Sequence, residues 1–114
     1  MTEEEAISLL LTRFPGLRKK IDDPEDLVGS PHYVYGLLAS EVLENRTDED
    51  LLNATSAFID ELANSGNGLL EELLVVDVLE GLAEDPALAR RLKTKISSKA
   101  AAFLDRVEKE YFRR

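Results

Sequence analysis

Carboxylates are the side chains with which this chain could do chemistry, and most of them lie in its middle. Residues 47–89 contain eleven aspartates and glutamates and no lysine or arginine, a formal charge of −11. The flanking residues 1–46 and 90–114 carry −4 and +6, which gives the net charge of −9 for the 114-residue chain. Surface helices ordinarily place a base about four residues from an acid, so an acidic stretch of this length needs an explanation.

Two interpretations of the acidic stretch stay open. In the internal one, the basic last helix lies against the acidic middle, and helix N-termini favour further acids through their dipoles. In the functional one, the acids form a face for a basic protein partner, because charge complementarity speeds encounter and selects partners. Its predicted contacts are six acids and two tyrosines as aromatic anchors: Asp60, Glu61, Glu71, Glu72, Asp77, Glu80, Tyr33 and Tyr35.

Asp77 is the most informative of these acids because it interrupts an apolar run. If it is partly buried near Glu80 and Glu84, burial among like charges raises its pKa, which is typical of a functional acid. If it lies on an exposed strip of its helix, it is an ordinary solvated carboxylate. His32 and Tyr33 open another predicted helix, where they could bind an anion, contact a partner or pack at the edge of the core.

The sequence lacks the residue types and spacings that the common enzyme and metal motifs require. The chain has no cysteine and one histidine, His32, and glycine stands where a di-metal bundle needs an acid three residues before it. Calcium-loop, phosphate-loop, nucleophile-elbow and dinucleotide-glycine spacings are absent. We therefore predict a protein that is not an enzyme and has no catalytic residue, metal or cofactor. A hydrolase using Asp77 and Glu80 is the weakest alternative, because carboxylates on adjacent turns are a weak signal.

Helical periodicity dominates the sequence and predicts an all-α fold. Helix starts are marked by a Thr2–Glu5 capping box, Ser30 before Pro31, a Thr47–Asp50 box and Asp85 before Pro86. The predicted helices cover residues 3–13, 31–44, 47 to the break at 64–68, 69–83, 86–92 and 94–112, with a turn at 17–21 and a break at 22–24. Short connections favour antiparallel neighbours, so residues 1–114 are expected to form one domain, a bundle or short stack of five to six helices.

Helix four is expected to be the most buried helix, because its apolar residues surround almost all of it. In helix two, Gly36 and Ala39 are small enough to allow close approach of a neighbouring helix. The expected inner stripe of the last helix consists of Ile96, Ala100, Phe103, Leu104, Val107 and Tyr111.

Charge and hydropathy also limit the partners. A net charge of −9 and a pI near 4.6 argue against binding to nucleic acid phosphates or anionic lipid. The longest apolar stretches, Leu9–Leu11 and Leu73–Val76, are too short to span a bilayer, and the acidic start does not resemble a secretory signal. A cytoplasmic protein without a nucleic acid or membrane partner is expected.

Two segments carry a family resemblance. Residues 58–67 read FIDELANSGN and residues 73–82 read LLVVDVLEGL. This pair resembles a family of small bacterial proteins of unknown function, in which an F-I-E-E-x-A-x-S-G helix end precedes a V-V-x-x-L-E-x-L helix. The resemblance covers about a quarter of the chain and implies a single-domain, cytoplasmic, helical protein. Its matching acids are Asp60, Glu61 and Glu80, and it implies no catalytic residues.

Some similar small acidic proteins are immunity proteins that act beside secreted toxins. The first functional hypothesis is therefore an immunity- or antitoxin-like inhibitor of a basic toxin of the nuclease type, whose phosphate-binding cleft an acidic surface can occupy. The alternative is a helical adaptor or homo-oligomeric scaffold module without an inhibitory role, in which the apolar excess of helix four contacts another copy.

Overall fold

The first helices begin where their caps predict. The computed structural model describes residues 1–21 and 30–112, with side chains as far as residue 110, so the predicted break at 22–24 and the side chain of Tyr111 lie outside it. Helix α1 (Glu3–Arg13) has the predicted capping box, in which the Glu5 N–H donates to the Thr2 hydroxyl and the Thr2 N–H donates to the Glu5 carboxylate. A 3₁₀ helix (Pro15–Lys20) follows.

Helices α2 (Pro31–Glu44) and α3 (Glu49–Ala63) confirm the predicted elements and correct their caps. The Ser30 side chain makes no capping hydrogen bond, so the start of α2 rests on Pro31, whose fixed φ suits a first helical position. The predicted Thr47–Asp50 box is wrong, because the carboxylate of Asp48 accepts the Leu51 N–H at 3.1 Å. A carboxylate caps as well as a hydroxyl and also interacts favourably with the helix dipole.

Helix four differs from the regular α-helix that was predicted. It consists of α4 (Gly68–Leu73), a π-helical segment (Leu74–Leu79) and the short α5 (Glu80–Leu82), which together form a composite helix over residues 68–82. In the π segment the hydrogen bonds span five residues, and the Glu80 N–H bonds to the Val75 carbonyl. A π turn places an extra residue in the helix and shifts the faces of the residues that follow, which is frequent at functional sites.

The last two helices are α6 (Pro86–Lys93) and α7 (Ser98–Phe112). Asp85 caps α6 as predicted, accepting the N–H groups of Ala87 and Leu88 at 3.1 Å each. The predicted start of the last helix at Thr94 is wrong, since α7 begins at Ser98 after a turn. There the Ser97 hydroxyl accepts the Ala100 N–H in the manner of an N-cap.

The composite helix occupies the centre of the bundle, as predicted for helix four. It packs along α2 and also against α3 and α7, and six of its side chains are fully or almost fully buried: Leu70, Leu73, Leu74, Val78, Leu79 and Leu82. A Cβ added to Gly81 would lie 2.8 Å from the Ala39 Cβ, so Ala39 permits the close approach that was expected. Gly36 has no such neighbour among the described residues.

The radius of gyration of 13.3 Å is that of one folded domain of this length. The described parts of the chain contain no strand, and the all-α, single-domain prediction is confirmed. None of the helices described is long and apolar enough to cross a membrane.

Candidate functional site

The two side chains best suited to acid–base chemistry, those of His32 and Asp77, meet where α2 contacts the π segment. His32 lies in the first turn of α2, and Asp77 lies in the π segment. Their side chains touch, with His32 Nδ1 2.5 Å from Asp77 Oδ2. The His32 side chain is 51% exposed and that of Asp77 only 14%. The contact therefore joins a largely buried carboxylate to an imidazole that remains open to solvent.

The environment of Asp77 perturbs its titration. Burial raises the pKa of the Asp77 carboxyl above the usual aspartate value, and the charge of Glu72 acts weakly in the same direction. The hydrogen bond and charge of His32 oppose this rise in pKa. Asp77 is thus partly buried and not a carboxylate on an exposed strip, but the like charge that raises its pKa is that of Glu72 and not, as expected, those of Glu80 and Glu84.

The two helices that meet at this contact carry one sign of charge. Together, α2 and the composite helix contain six acids and no lysine or arginine. Two of the acids, Glu41 and Glu44, are paired with Lys20 of the 3₁₀ helix. The other four belong to the composite helix: Glu71, Glu72, Asp77 and Glu80.

Exposed apolar side chains adjoin the contact on both helices. Tyr33 directly follows His32 and is 45% exposed, and Val76 directly precedes Asp77 and is 43% exposed. We use the name acidic face for this surface, which consists of His32, Tyr33, Glu71, Glu72, Val76, Asp77 and Glu80. An exposed tyrosine and an exposed valine among these carboxylates give the face both apolar and charged contacts.

Two of the predicted contacts are engaged within the protein instead. Glu61 forms a bidentate ion pair with Arg13, at 3.0 and 3.1 Å. Asp60 accepts the N–H of Ser97 at 2.7 Å and so ties the end of α3 to the start of α7. Glu71, Glu72 and Glu80 have no ion pair among the residues that the structure describes.

Tyr35 is wrongly predicted as a partner contact. Its ring is completely buried beside Phe58, and its hydroxyl donates to the Ala6 carbonyl at 2.7 Å. Successive residues of a helix are about 100° apart, so Tyr33 and Tyr35 point in nearly opposite directions. Of these two tyrosines, Tyr33 is the exposed one.

The internal interpretation of the acids holds for one acid near each end of the acidic stretch. Asp85 binds Arg46 at 2.6 Å, and Glu49 binds both Arg91 and Lys95. These bases, however, precede α7. Within α7 the carboxylates of Asp105 and Glu108 bind Lys93. The described side chains of the last helix therefore do not neutralise the acidic face.

Sequence reasoning named both His32 and Asp77 but did not bring them together. A signal was present in the spacing of the apolar pairs. The buried pair 73–74 is followed after five residues by the buried pair 78–79, although Val75 and Val76, which are also apolar, lie between them in the sequence. A five-residue step within a helix is what an inserted residue of a π turn produces.

The contact also limits the chemistry of the site. A carboxylate that accepts the Nδ1–H of a histidine fixes the ring and leaves Nε2 free to exchange a proton or to bind a ligand. Among the residues described, no three His, Asp or Glu side chains are grouped so as to hold a metal ion.

Comparison of the chain with protein-family models, curated proteins and solved structures gave no match. The family resemblance therefore stays a prediction.

Proposed function

We propose that this chain is a protein-binding domain whose acidic face binds a basic protein. The observation that carries the proposal is the charge of α2 and the composite helix, which contain no lysine or arginine. Four carboxylates of the composite helix form no ion pair with a lysine or arginine in the part of the chain that the structure describes. Surfaces of one sign raise the local concentration of an oppositely charged partner and accelerate association by about 10- to 1,000-fold. Like-charged proteins are repelled by the same surface.

The apolar residues of the face supply the short-range part of the binding energy. Tyrosine is enriched among the residues that dominate interface energies, because its ring buries a large area and its hydroxyl still finds a partner. Tyr33 and Val76 are the exposed apolar side chains next to the His32–Asp77 contact. A partner whose basic groups surround an apolar centre fits this arrangement.

The specific form of the proposal is an inhibitor in the cytoplasm, similar to an immunity protein or an antitoxin. A nuclease binds phosphates through lysines and arginines, so a carboxylate surface can occupy the same groups. In this proposal, the carboxylates of Glu71, Glu72 and Glu80 on the composite helix bind the lysines and arginines that otherwise bind phosphates. Inhibition then follows from exclusion of nucleic acid from the basic cleft.

The test is capture of the partner from lysate of the source cells by three immobilised proteins. They are the wild type, the variant Glu71→Lys/Glu72→Lys/Glu80→Lys, and a control with the same change of charge on other helices, Glu4→Lys/Asp50→Lys/Glu110→Lys. The control acids are exposed and lie on α1, α3 and α7. Quantitative mass spectrometry of the retained proteins compares the three.

The proposal expects one basic protein on the wild type and on the control, released by high salt and lost from the acidic-face variant. That protein's nuclease activity should fall when the wild-type chain is added in equimolar amount. Equal retention by all three proteins would contradict the acidic face as the binding surface. A captured partner whose activity is unchanged would contradict inhibition while leaving binding intact.

A further inference from the structure

The outward side of α7 carries a basic surface that the proposed function does not use. Ala100, Leu104 and Val107 form the buried side of this helix. Beside it, a shallow cavity of about 180 Å³ is lined by Lys99, Ala102, Phe103 and Arg106, of which Phe103 is partly buried and also packs against the core. We call these four residues the α7 groove.

The α7 groove combines an aromatic ring with two cations. The Arg106 guanidinium lies over the ring of the partly exposed Phe103, 5.6 Å from its centroid. Lys99 and Arg106 have no carboxylate partner in the described part of the chain, in contrast to Arg91, Lys93 and Lys95. The groove is therefore able to bind carboxylates at two points and an apolar side chain between them.

The acidic face has the complementary order of side chains. In the composite helix, exposed Val76 is four residues from both Glu72 and Glu80, and in α7, Phe103 stands between Lys99 and Arg106. The two bases are seven residues apart in a regular α-helix and so about 10 Å apart along its axis. The two acids are eight residues apart with the π segment between them, which makes their separation at most about 12 Å. Lysine, arginine and glutamate side chains are long enough to absorb this difference.

We propose that the α7 groove of one molecule binds the acidic face of a second copy. The two surfaces lie on different helices of the same chain, so the contact is head-to-tail, and such contacts close into rings or extend into chains. The ion pairs join Glu72 and Glu80 to Lys99 and Arg106, and Val76 packs between Ala102 and Phe103. In the helical-module alternative, the apolar excess of helix four provides the contact, but within the described structure most of that surface is buried in the molecule itself.

Self-association shares the acidic face with the proposed function but requires a second surface that partner binding does not need. A basic partner and a second copy therefore compete for one face. The partner displaces the second copy, and self-association in turn protects the acidic face when no partner is present.

The test is sedimentation equilibrium of the purified chain over a range of concentrations at low and high salt. The proteins are the wild type, Glu72→Lys/Glu80→Lys, Lys99→Glu/Arg106→Glu, and an equimolar mixture of these two variants. Arg18→Glu/Lys19→Glu in the 3₁₀ helix is the control, because it changes the net charge as much as the α7 variant at exposed residues elsewhere. Circular dichroism verifies that each variant is folded.

The wild type and the control should exceed the monomer mass of 12.7 kDa as concentration rises at low salt, and return to it at high salt. Each face variant alone should stay monomeric, and their mixture should associate again because both contacts then join opposite charges. A wild type that remains at the monomer mass would overturn self-association, as would an α7 variant that associates like the wild type. Lys99→Glu/Arg106→Glu should still capture the basic partner, so that failure here is separable from failure of the proposed function.

Discussion

Replacing Gly81 by alanine tests the close contact between the composite helix and α2. A Cβ at Gly81 would lie 2.8 Å from the Ala39 Cβ, whereas carbon atoms pack best about 3.5–4.0 Å apart. Because a methyl group on Ala39 cannot rotate away, the helices must separate by about 1 Å or bend. This movement disturbs the contact that also positions His32 against Asp77.

The size of the effect follows from two opposed terms. Alanine in place of a helical glycine stabilises by about 1 kcal/mol, while overpacking a close contact costs about 1–3 kcal/mol. Gly81→Ala should therefore lower the free energy of unfolding by about 1 kcal/mol, which corresponds to about 4 °C in Tm for a domain of this size. Gly36→Ala on α2 meets nothing within 4 Å, so the propensity term acts alone and should stabilise by about 0.5–1 kcal/mol.

Urea unfolding followed by circular dichroism measures both changes. The double variant Ala39→Gly/Gly81→Ala moves the methyl group to the other helix and should recover most of what Gly81→Ala loses. If Gly81→Ala stabilises the protein as much as Gly36→Ala does, the helices are not in the close contact that the structure shows.

Three further predictions concern single side chains. Val78→Ala should destabilise the protein by about 2 kcal/mol because it opens a cavity at a fully buried position, whereas Val76→Ala at an exposed position of the same π segment should change stability by less than about 0.5 kcal/mol in urea unfolding. His32→Ala removes the groups that hold down the pKa of Asp77, so carboxyl-carbon NMR should show that pKa rising further. A carboxyl whose pKa is higher in the folded than in the unfolded protein adds stability at pH values below its unfolded-state pKa, and this stability is lost as the pH rises through its folded-state pKa. In His32→Ala the loss should therefore extend to higher pH. Tyr35→Phe should cost about 1 kcal/mol in the same unfolding assay, since it deletes a buried hydrogen bond.

Each of these has an outcome that contradicts it. Equal effects of the two valine substitutions would mean that the π segment does not turn its side chains as described. An unchanged or lower pKa of Asp77 in His32→Ala would mean that the two side chains are not in contact. A Tyr35→Phe variant as stable as the wild type would place the hydroxyl in solvent.

The helices were predictable because residues close to their first turns indicate where they begin. Thr2 with Glu5, and Pro31 at a first helical position, mark the observed starts of α1 and α2. The start of α3 was misassigned because Thr47 and Asp48 are both acceptable caps and local sequence does not rank them. The π segment was missed because a 3.6-residue period was applied throughout, and because Val75 and Val76 hide the five-residue step between the buried pairs 73–74 and 78–79.

Sequence alone predicted most of the residues of the candidate site but not which of them contact one another. Local sequence locates the acids, but the pairing of Glu61 with Arg13 joins residues 48 positions apart and depends on how α1 and α3 pack. The contact between His32 and Asp77, 45 positions apart, likewise depends on the register between two helices. The error at Tyr35 was different, because helical geometry alone separates it from Tyr33 by about 200°.

The rate of association with the captured basic partner tests the central claim most directly. Stopped-flow measurements on the wild type, the acidic-face variant and its charge-matched control, each over a range of ionic strength, separate steering by this face from general charge effects. The account predicts that the rate constant of the wild type and of the control falls steeply with salt, and that the acidic-face variant associates slowly with little salt dependence. A wild-type rate that does not respond to salt, or equal losses in variant and control, would contradict binding through the acidic face.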